Sequence, residues 1–315
     1  MSISALAMYR PVETEDETDP DLLVAPDNFL IERVPNAATA RAVVVSVPHF
    51  GIGSPRRYTA EEFATHLGRH LAFGFQDAYV PHLYGRLDEQ GAHVVATQLS
   101  RLFVDVNRPR DDFERRGDEV HSRSGVVRTH SRRGTPIFTT APTMREASKW
   151  LVHFYDPYYA ALERGLASCI ERFQHAVVLD LHTASAQRMG KHQIVLGTSR
   201  RRTAAPGLVE VVYELFSSHG FKCDIDVPGY VGANIVRTFG AHVRDATDAI
   251  QIEVSAGLLQ TMAHDEFVRT QIGGRRPAPD PDTLARLRAC IADVLQAADT
   301  YARACGQSSG QEFTN

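Results

Sequence analysis

The sequence predicts an α/β fold, a single domain on a mixed, mostly parallel sheet with helices on both faces. Three observations carry this. Short runs of β-branched residues recur along the chain and are apolar at nearly every position, the mark of strands covered on both sides. Longer segments with helical apolar spacing separate them, as in alternating strand and helix units. Between its two ends the 315-residue chain shows no repeat, low-complexity linker or shift in composition that would mark a domain boundary.

Taken in order, residues 1–25 include the acidic stretch PVETEDETDPD (11–21), whose shortage of large apolar groups predicts a disordered tail. One folded domain is expected over 26–305. Its first strand is AVVVSV (42–47), followed at Thr59 by a helix start, because Glu62 completes a capping box. AHVVATQL (92–99) is the second strand and LFVDVNRPR (102–110) reads as another strand ending at Pro109. Thr143 and Glu146 repeat the capping box; Trp150, Leu151 and Phe154 form an apolar stripe until Pro157 kinks or breaks the helix, and Leu162, Leu166 and Ile170 resume it. AVVLDL (176–181) and AIQIEV (249–254) are the remaining strands, with helices over 206–218 and 281–304. The closing segment 306–315, GQSSGQEFTN, reads as a flexible tail.

Composition narrows the function. No apolar run approaches the roughly 20 residues of a membrane span, so no membrane partner is expected. MSISALAMYR lacks the basic start and apolar core of a secretory signal, which makes the cytoplasm the expected location. Cys169, Cys223, Cys290 and Cys305 are widely spaced without a CxxC pair, so neither a disulfide framework nor a thiolate zinc site is expected. A net charge of −4 argues against a nucleic-acid partner. The basic stretches RTHSRRGT (128–135) and SRRRT (199–203) read as solvated loops or as attractors of an anionic substrate. Oligomeric state is not legible.

Open parallel sheets gather working groups at the carboxyl ends of their strands. The first exit, PHFGIGSP (48–55), has Arg56 where a dinucleotide fingerprint needs its third glycine, so His49 becomes the residue to explain. At the second, VVLDLHTAS (177–185), a side-chain period of two puts Asp180 and His182 on one face. A buried carboxylate there either orients the histidine or satisfies itself as a pair. At the third, Asp105 and Asn107 share a strand face, and Arg108 is placed either to grip a carboxylate or to form a loop ion pair. At the fourth, Glu253 lies near the end of an apolar strand, where burial would raise its pKa and suit a general base. His66 and His70 are one helical turn apart, but Leu67 follows His66, so they do not form an HExxH helix.

Two histidines, strand-borne carboxylates, an arginine and a strand-end glutamate are the parts of a catalytic zinc site, which keeps one coordination position open for water. The chain resembles the N-formylglutamate amidohydrolase family from about residue 41 to about 260. PHFG (48–51) is similar to the family's PHSG, SRLFVDVNRP (100–109) to S-R-[YF]-V-[VL]-D-[LV]-N-R-P, and PYYAAL from Pro157 to its PYH segment. DLHT (180–183) matches D-[CAL]-H-S, GANIVRTFG (232–240) matches GGYITRHYG, and AIQIE ends on Glu253 where the family has AxQxE.

Through its likeness in fold to the zinc carboxypeptidases, this resemblance implies a zinc-exopeptidase-like architecture with His49 and His182 as zinc ligands. It implies that Asp105 accepts a hydrogen bond from the far nitrogen of His49. Asn107, Arg108 and Arg237 would hold substrate carboxylates, and Glu253 would take a proton from water. The carboxypeptidase HxxE pair is missing, since Ile52 stands three residues after His49. The family's DTDWHIPxLY is similar to FQDAYVPHLY (75–84), which leaves Asp77 in register as third ligand, with Glu61 or Glu62 as alternatives. Phe50, Phe75, Tyr79 and Ala233 depart from the pattern at expected pocket walls. The implied activity is zinc-dependent removal of a formyl group from N-formyl-L-glutamate, a small anionic N-acyl amino acid. The alternatives are hydrolysis of another N-acyl amino acid or peptide end, or binding without turnover.

Overall fold

The computed structural model describes residues 28–64, 74–131, 133–272, 275 and 277–311. The expected acidic tail and the His66, His70 pair lie outside the described residues. Nine strands are described: β1 Leu30–Arg33, β2 Val43–Val47, β3 His93–Thr97, β4 Arg115–Arg116, β5 Glu119–Val120, β6 Ala176–Ala184, β7 Ile194–Gly197, β8 Cys223–Ile225 and β9 Thr247–Ser255. The described α-helices are α1 Val80–Tyr84, α2 Met144–Trp150, α3 Asp156–Phe173, α4 Ala186–Met189, α5 Pro206–Ser218, α6 Asn234–Phe239, α7 His264–Ile272 and α8 Pro281–Gln311.

Among the described residues, seven strands form one sheet in the order β1-β3-β2-β6-β9-β7-β8, and β4 and β5 form a separate ribbon. The centre is parallel: β2 pairs with β3 and β6, and β6 with β9, all in parallel. Antiparallel pairs join β1 to β3 and β7 to β9. The predicted mixed, mostly parallel α/β sheet is therefore the observed one.

The alternation of side chains sorts the core into two layers. Val43, Val45, Val47, Val177, Leu179, Leu181, Ile250, Ile252 and Val254 pack on one face, against Leu83 of α1, Leu208 and Val212 of α5 and Ile291 and Leu295 of α8. Val44, Val178 and Ala249 point the other way, towards Leu162 and Leu166 of α3 and Ile235 and Phe239 of α6. The polar residues Asp180, His182, Gln251 and Glu253 occupy this second face near the strand ends, which is how an apolar sheet delivers charged groups to one place.

Helix boundaries follow local chemistry. Thr143 and Glu146 form the expected capping box at α2, and Pro206 opens α5 where its missing N–H costs nothing. Of the two outcomes expected at Pro157, a kink or a break, the break does not occur. A π-turn over Leu151–Tyr155 sits just before the proline and takes up the change of register, so that the helical path runs on from α2 into α3. Thr59 and Glu62 form their box, but on a single 3₁₀ turn, Ala60–Glu62, after which Phe63 is extended. The last helix continues to Gln311, into the segment expected to be a flexible tail.

Residues 102–110 are not a strand. The amides of Phe103 and Val104 bond to Ser100 O, and that of Arg108 bonds to Asp105 O. The Asp105 carboxylate also accepts from the Asn107 amide at 3.1 Å. Local turns of this kind compete with ladder pairing wherever Ser, Asp and Asn are closely spaced. Leu102, Phe103, Val104 and Val106 are buried all the same, so the apolar pattern was real while its geometry was not that of a strand.

Candidate metal centre

Three adjacent parallel strands bring the first groups together. His49 follows β2, His182 lies near the end of β6, and Glu253 pairs in register with His182 across β6 and β9. The glycine after the first histidine has a steric reason: a Cβ on Gly51 would stand 2.0 Å from the carbonyl oxygen of Gln98. Gly53 then donates its amide to that same oxygen at 2.7 Å. The turn serves the close approach of two chain segments and aims His49; it is not a phosphate cradle.

Asp77 arrives from the segment leading into α1. Its amide bonds to His49 O at 3.2 Å, and the Thr183 hydroxyl holds the next carbonyl, that of Ala78, at 2.5 Å. Tyr84 of α1 donates to His182 O at 3.2 Å. Asp77 Oδ2 then lies 3.3 Å from His49 Nδ1 and 3.0 Å from His182 Nδ1. The ligand atoms of His49, Asp77 and His182 all lie within 4.8 Å of one another, and all three residues are buried. Two imidazole nitrogens and one carboxylate are a donor set that can hold a divalent metal and leave a further position open.

The far side of each imidazole is held by a carboxylate. His49 Nε2 is 2.8 Å from Asp105 Oδ1, as the resemblance implied, and His182 Nε2 is 3.0 Å from Asp180 Oδ2. Because an ionised carboxylate only accepts, each Nε2 donates to its aspartate, which leaves Nδ1 as the nitrogen turned to the common centre. Asp180 is fully buried, and its other oxygen accepts from Ser46 Oγ at 2.9 Å. That completes the partnering a carboxylate inside a strand requires.

The charges reinforce this geometry. Burial alone would push up the carboxyls of Asp77 and Asp105, but His49 and the arginines around them outweigh it and hold both well below the usual carboxylate range. For His182 burial works against the charged form, yet Asp180, Glu253 and the bonds to Asp180 and Asp77 raise its pKa well above the ordinary value. Glu253 is raised, chiefly by burial, and its Oε1 accepts from Gln251 Nε2 at 2.7 Å.

Some expectations are corrected. Asn107, expected to hold a substrate carboxylate, is engaged within the protein: its Nδ2 lies 2.9 Å from Asp180 Oδ2 and 3.0 Å from His182 Nε2, while its Oδ1 accepts from the Ile235 amide at 2.9 Å. Its amide is turned inward and donates to the carboxylate that backs the second histidine. Glu62 is taken up by Arg56 and the Thr59 cap, and Glu61 is exposed, so neither joins the cluster. Phe50 and Tyr79, expected at pocket walls, are packed in the hydrophobic core. Arg108 and Arg237 keep accessible side chains, Arg108 with its Nε 3.9 Å from Asp105 Oδ2.

Two arginines were not singled out from the sequence. Arg101 Nη1 lies 3.0 Å from His49 Nδ1, and its Nη2 is 3.5 Å from Asp77 Oδ1. Arg128 donates from Nη2 to Asp105 Oδ2 at 2.8 Å and is buried, although it belongs to the basic stretch read as a solvated loop or an attractor of an anionic substrate. Its signal was a lone arginine directly after Val126 and Val127, set apart from the clustered charges of 132 and 133.

Comparison with known proteins finds relatives in both sequence and fold. An "N-formylglutamate deformylase" from Pseudomonas putida is 32% identical over 109 residues, 34% of this chain and 40% of that protein. One from Pseudomonas aeruginosa is 28% identical over 143 residues, 45% of this chain and 51% of that protein. The matched part thus spans about half or less of these curated relatives. In fold the chain is similar to the crystal structure of an N-formylglutamate amidohydrolase from Ralstonia eutropha, with a TM-score of 0.69 and 21% identity over 87% of this chain and 98% of that one. A gene product of Agrobacterium tumefaciens gives 0.59 at 14% identity, over 86% and 94% of the two chains. Residues 41–259 match the family described as N-formylglutamate amidohydrolase, and with well over half of its length so matched, the chain belongs to that family.

Proposed function

We propose that the protein is a zinc-dependent amidohydrolase that converts N-formyl-L-glutamate and water to L-glutamate and formate. The observation that carries this is the convergence of His49 Nδ1, Asp77 Oδ2 and His182 Nδ1, each imidazole backed by its own carboxylate. The donor set fits zinc, which when bound supplies Lewis acidity that polarises the formyl carbonyl and makes water more acidic.

The remaining work falls to the chain. Asp105 and Asp180 keep the two imidazoles in the tautomer that presents Nδ1. Glu253, on the neighbouring strand, takes the proton from water as its oxygen adds to the formyl carbon. The same carboxyl then returns the proton to the departing amine as the carbon–nitrogen bond breaks. A carboxyl raised by burial suits both halves of this exchange. Arg108 and Arg237 hold the substrate's carboxylates.

Release of formate from N-formyl-L-glutamate by zinc-loaded protein, with Glu253→Ala beside it, tests the reading. Wild-type release with a loss of about 10²- to 10⁴-fold in the variant, at unchanged zinc content, supports it. Equal rates in both would remove Glu253 as the base. No formate from a protein that holds one zinc per chain would point to another N-acyl amino acid, and no bound zinc would point to binding without turnover.

A further inference from the structure

The π-turn over Leu151–Tyr155 sets Tyr155 and Tyr159 one helical turn apart with stacked rings, centroids 4.5 Å apart and planes 13° from parallel. Both hydroxyls reach one stretch of backbone. Tyr155 Oη donates to Arg108 O at 2.9 Å, and Tyr159 Oη donates to Val106 O at 3.0 Å. The two hydrogens of the Asn234 amide close the network, one to Tyr155 Oη at 3.3 Å and one to Tyr159 Oη at 2.6 Å. Every donor in this set has an acceptor. Asn234 opens α6, and Arg237 lies three residues on, about one turn of the same helix. A further tie joins the two elements, from the Ile235 amide to Asn107 Oδ1. Tyr159 also stacks on Phe239 of α6, with ring centroids 5.7 Å apart.

The turn that carries Arg108 and the helix that carries Arg237 are therefore joined through a pair of stacked tyrosines rather than by contact of the arginines themselves. We propose that Tyr155, Tyr159 and Asn234 form a positioning frame that fixes the separation of Arg108 and Arg237 and so selects acylated amino acids with two carboxylates over those with one. This rests on the reading of the two arginines as carboxylate holders. The hydrogen bonds described for Tyr155, Tyr159 and Asn234 go to one another and to the carbonyls of Val106 and Arg108, not to His49, Asp77, His182 or Glu253, so the frame's effect falls on binding and selectivity rather than on the chemical step.

The test compares wild type with Tyr155→Phe, Tyr159→Phe and the double variant. Two substrates are used, N-formyl-L-glutamate and N-formyl-L-norvaline, whose side chain is of similar length without the second carboxylate. Calorimetry of L-glutamate and L-norvaline gives affinities that do not depend on turnover. In the double variant the KM for N-formyl-L-glutamate is expected to rise about tenfold and the affinity for L-glutamate to fall alike, while kcat changes less than about threefold and the norvaline compounds less than about twofold. If the double variant fails to fold, each single variant is expected to show about a threefold share of the same selective loss. Equal shifts for both side chains, or no shift in zinc-loaded folded protein, would overturn the frame. Wild type that binds L-glutamate selectively but releases no formate removes the proposed reaction and leaves the frame to be decided by the affinities. Wild type without preference for L-glutamate overturns the frame.

Discussion

Asp77 Oδ2 lies 3.0 Å from Nδ1 of His182, although 105 residues separate them in the chain. The contact exists because the segment before α1 is laid across the ends of β2 and β6, pinned by His49 O on one side and by the Thr183 hydroxyl on the other. A candidate ligand set assembled from three separate segments makes each donor individually testable.

Asp77→Ala is expected to lower zinc affinity by more than about a hundredfold, since even outer partners of a metal ligand cost ten- to a hundredfold. Glu62→Ala is expected to leave zinc affinity within about twofold, a small outer effect by the same scale, because Glu62 serves the Thr59 cap and Arg56. Competition with a chromogenic chelator measures both. Retention of zinc by Asp77→Ala would return the third-ligand question to Glu61 and Glu62.

Asp105 is held between His49 and Arg128, at 2.8 Å from each. Arg128→Met leaves that buried carboxylate short of a charged partner and His49 less firmly oriented. Zinc affinity is expected to fall about ten- to a hundredfold, with Arg128→Lys recovering part of it. Zinc titration of the three proteins decides the point.

Gly51→Ala places a methyl group 2.0 Å from Gln98 O, against backbone rather than a side chain that can turn away. The expected loss of stability is about 3 kcal/mol or more, at the upper end of overpacking effects. Zinc affinity should fall with it, because His49 stands two residues earlier. Urea unfolding and zinc titration of one preparation would show both losses together.

The capping box at α2 gives a pH-dependent prediction. Thr143→Ala should cost about 1 kcal/mol at neutral pH. Glu146 accepts from the Thr143 amide and hydroxyl at 2.9 Å. The backbone bond and, behind it, the hydroxyl bond hold its carboxyl below the ordinary value despite partial burial. A carboxyl lowered in the folded state stabilises above its unfolded pKa, near 4.3, and that stabilisation is lost as pH falls through the folded value. The stability deficit of Glu146→Ala is therefore expected to be full above about pH 5 and to shrink as pH falls through the lowered folded value. Urea midpoints measured across that range check it; a deficit that does not change with pH would show that the ionised carboxylate is not what caps the helix.

Particular residues show what was legible. The strands at 42–47, 176–181 and 249–254 could be read because a sheet buried on both faces writes itself as a continuous apolar run, and the helix over 206–218 because Pro206 and the apolar spacing mark it. Asp180 and His182 could be placed on one face by period-two counting alone, whereas the sharing of that face by Glu253 depends on the pairing of β6 with β9. Strands β7 and β8, of four and three residues, are too short for periodicity to register. The 102–110 segment misled because buried turns and buried strands share the same apolar pattern, and only the local bonds of Ser100, Asp105 and Asn107 separate them.

By itself the sequence determined the α/β class, the strand exits that carry His49, His182 and Glu253, and the motif order that placed the chain beside its family. The tertiary structure decided that Asp77 rather than Glu61 or Glu62 completes the cluster. It also turned Asn107 inward, buried Phe50 and Tyr79 in the core, and brought Arg101 and Arg128 to the histidine and its carboxylate. The division has a physical cause. Period and burial are properties of a local stretch and are written along the chain, whereas the pairing of charges depends on how distant segments cross in space, where a few ångströms decide whether a carboxylate meets an imidazole or a solvent molecule.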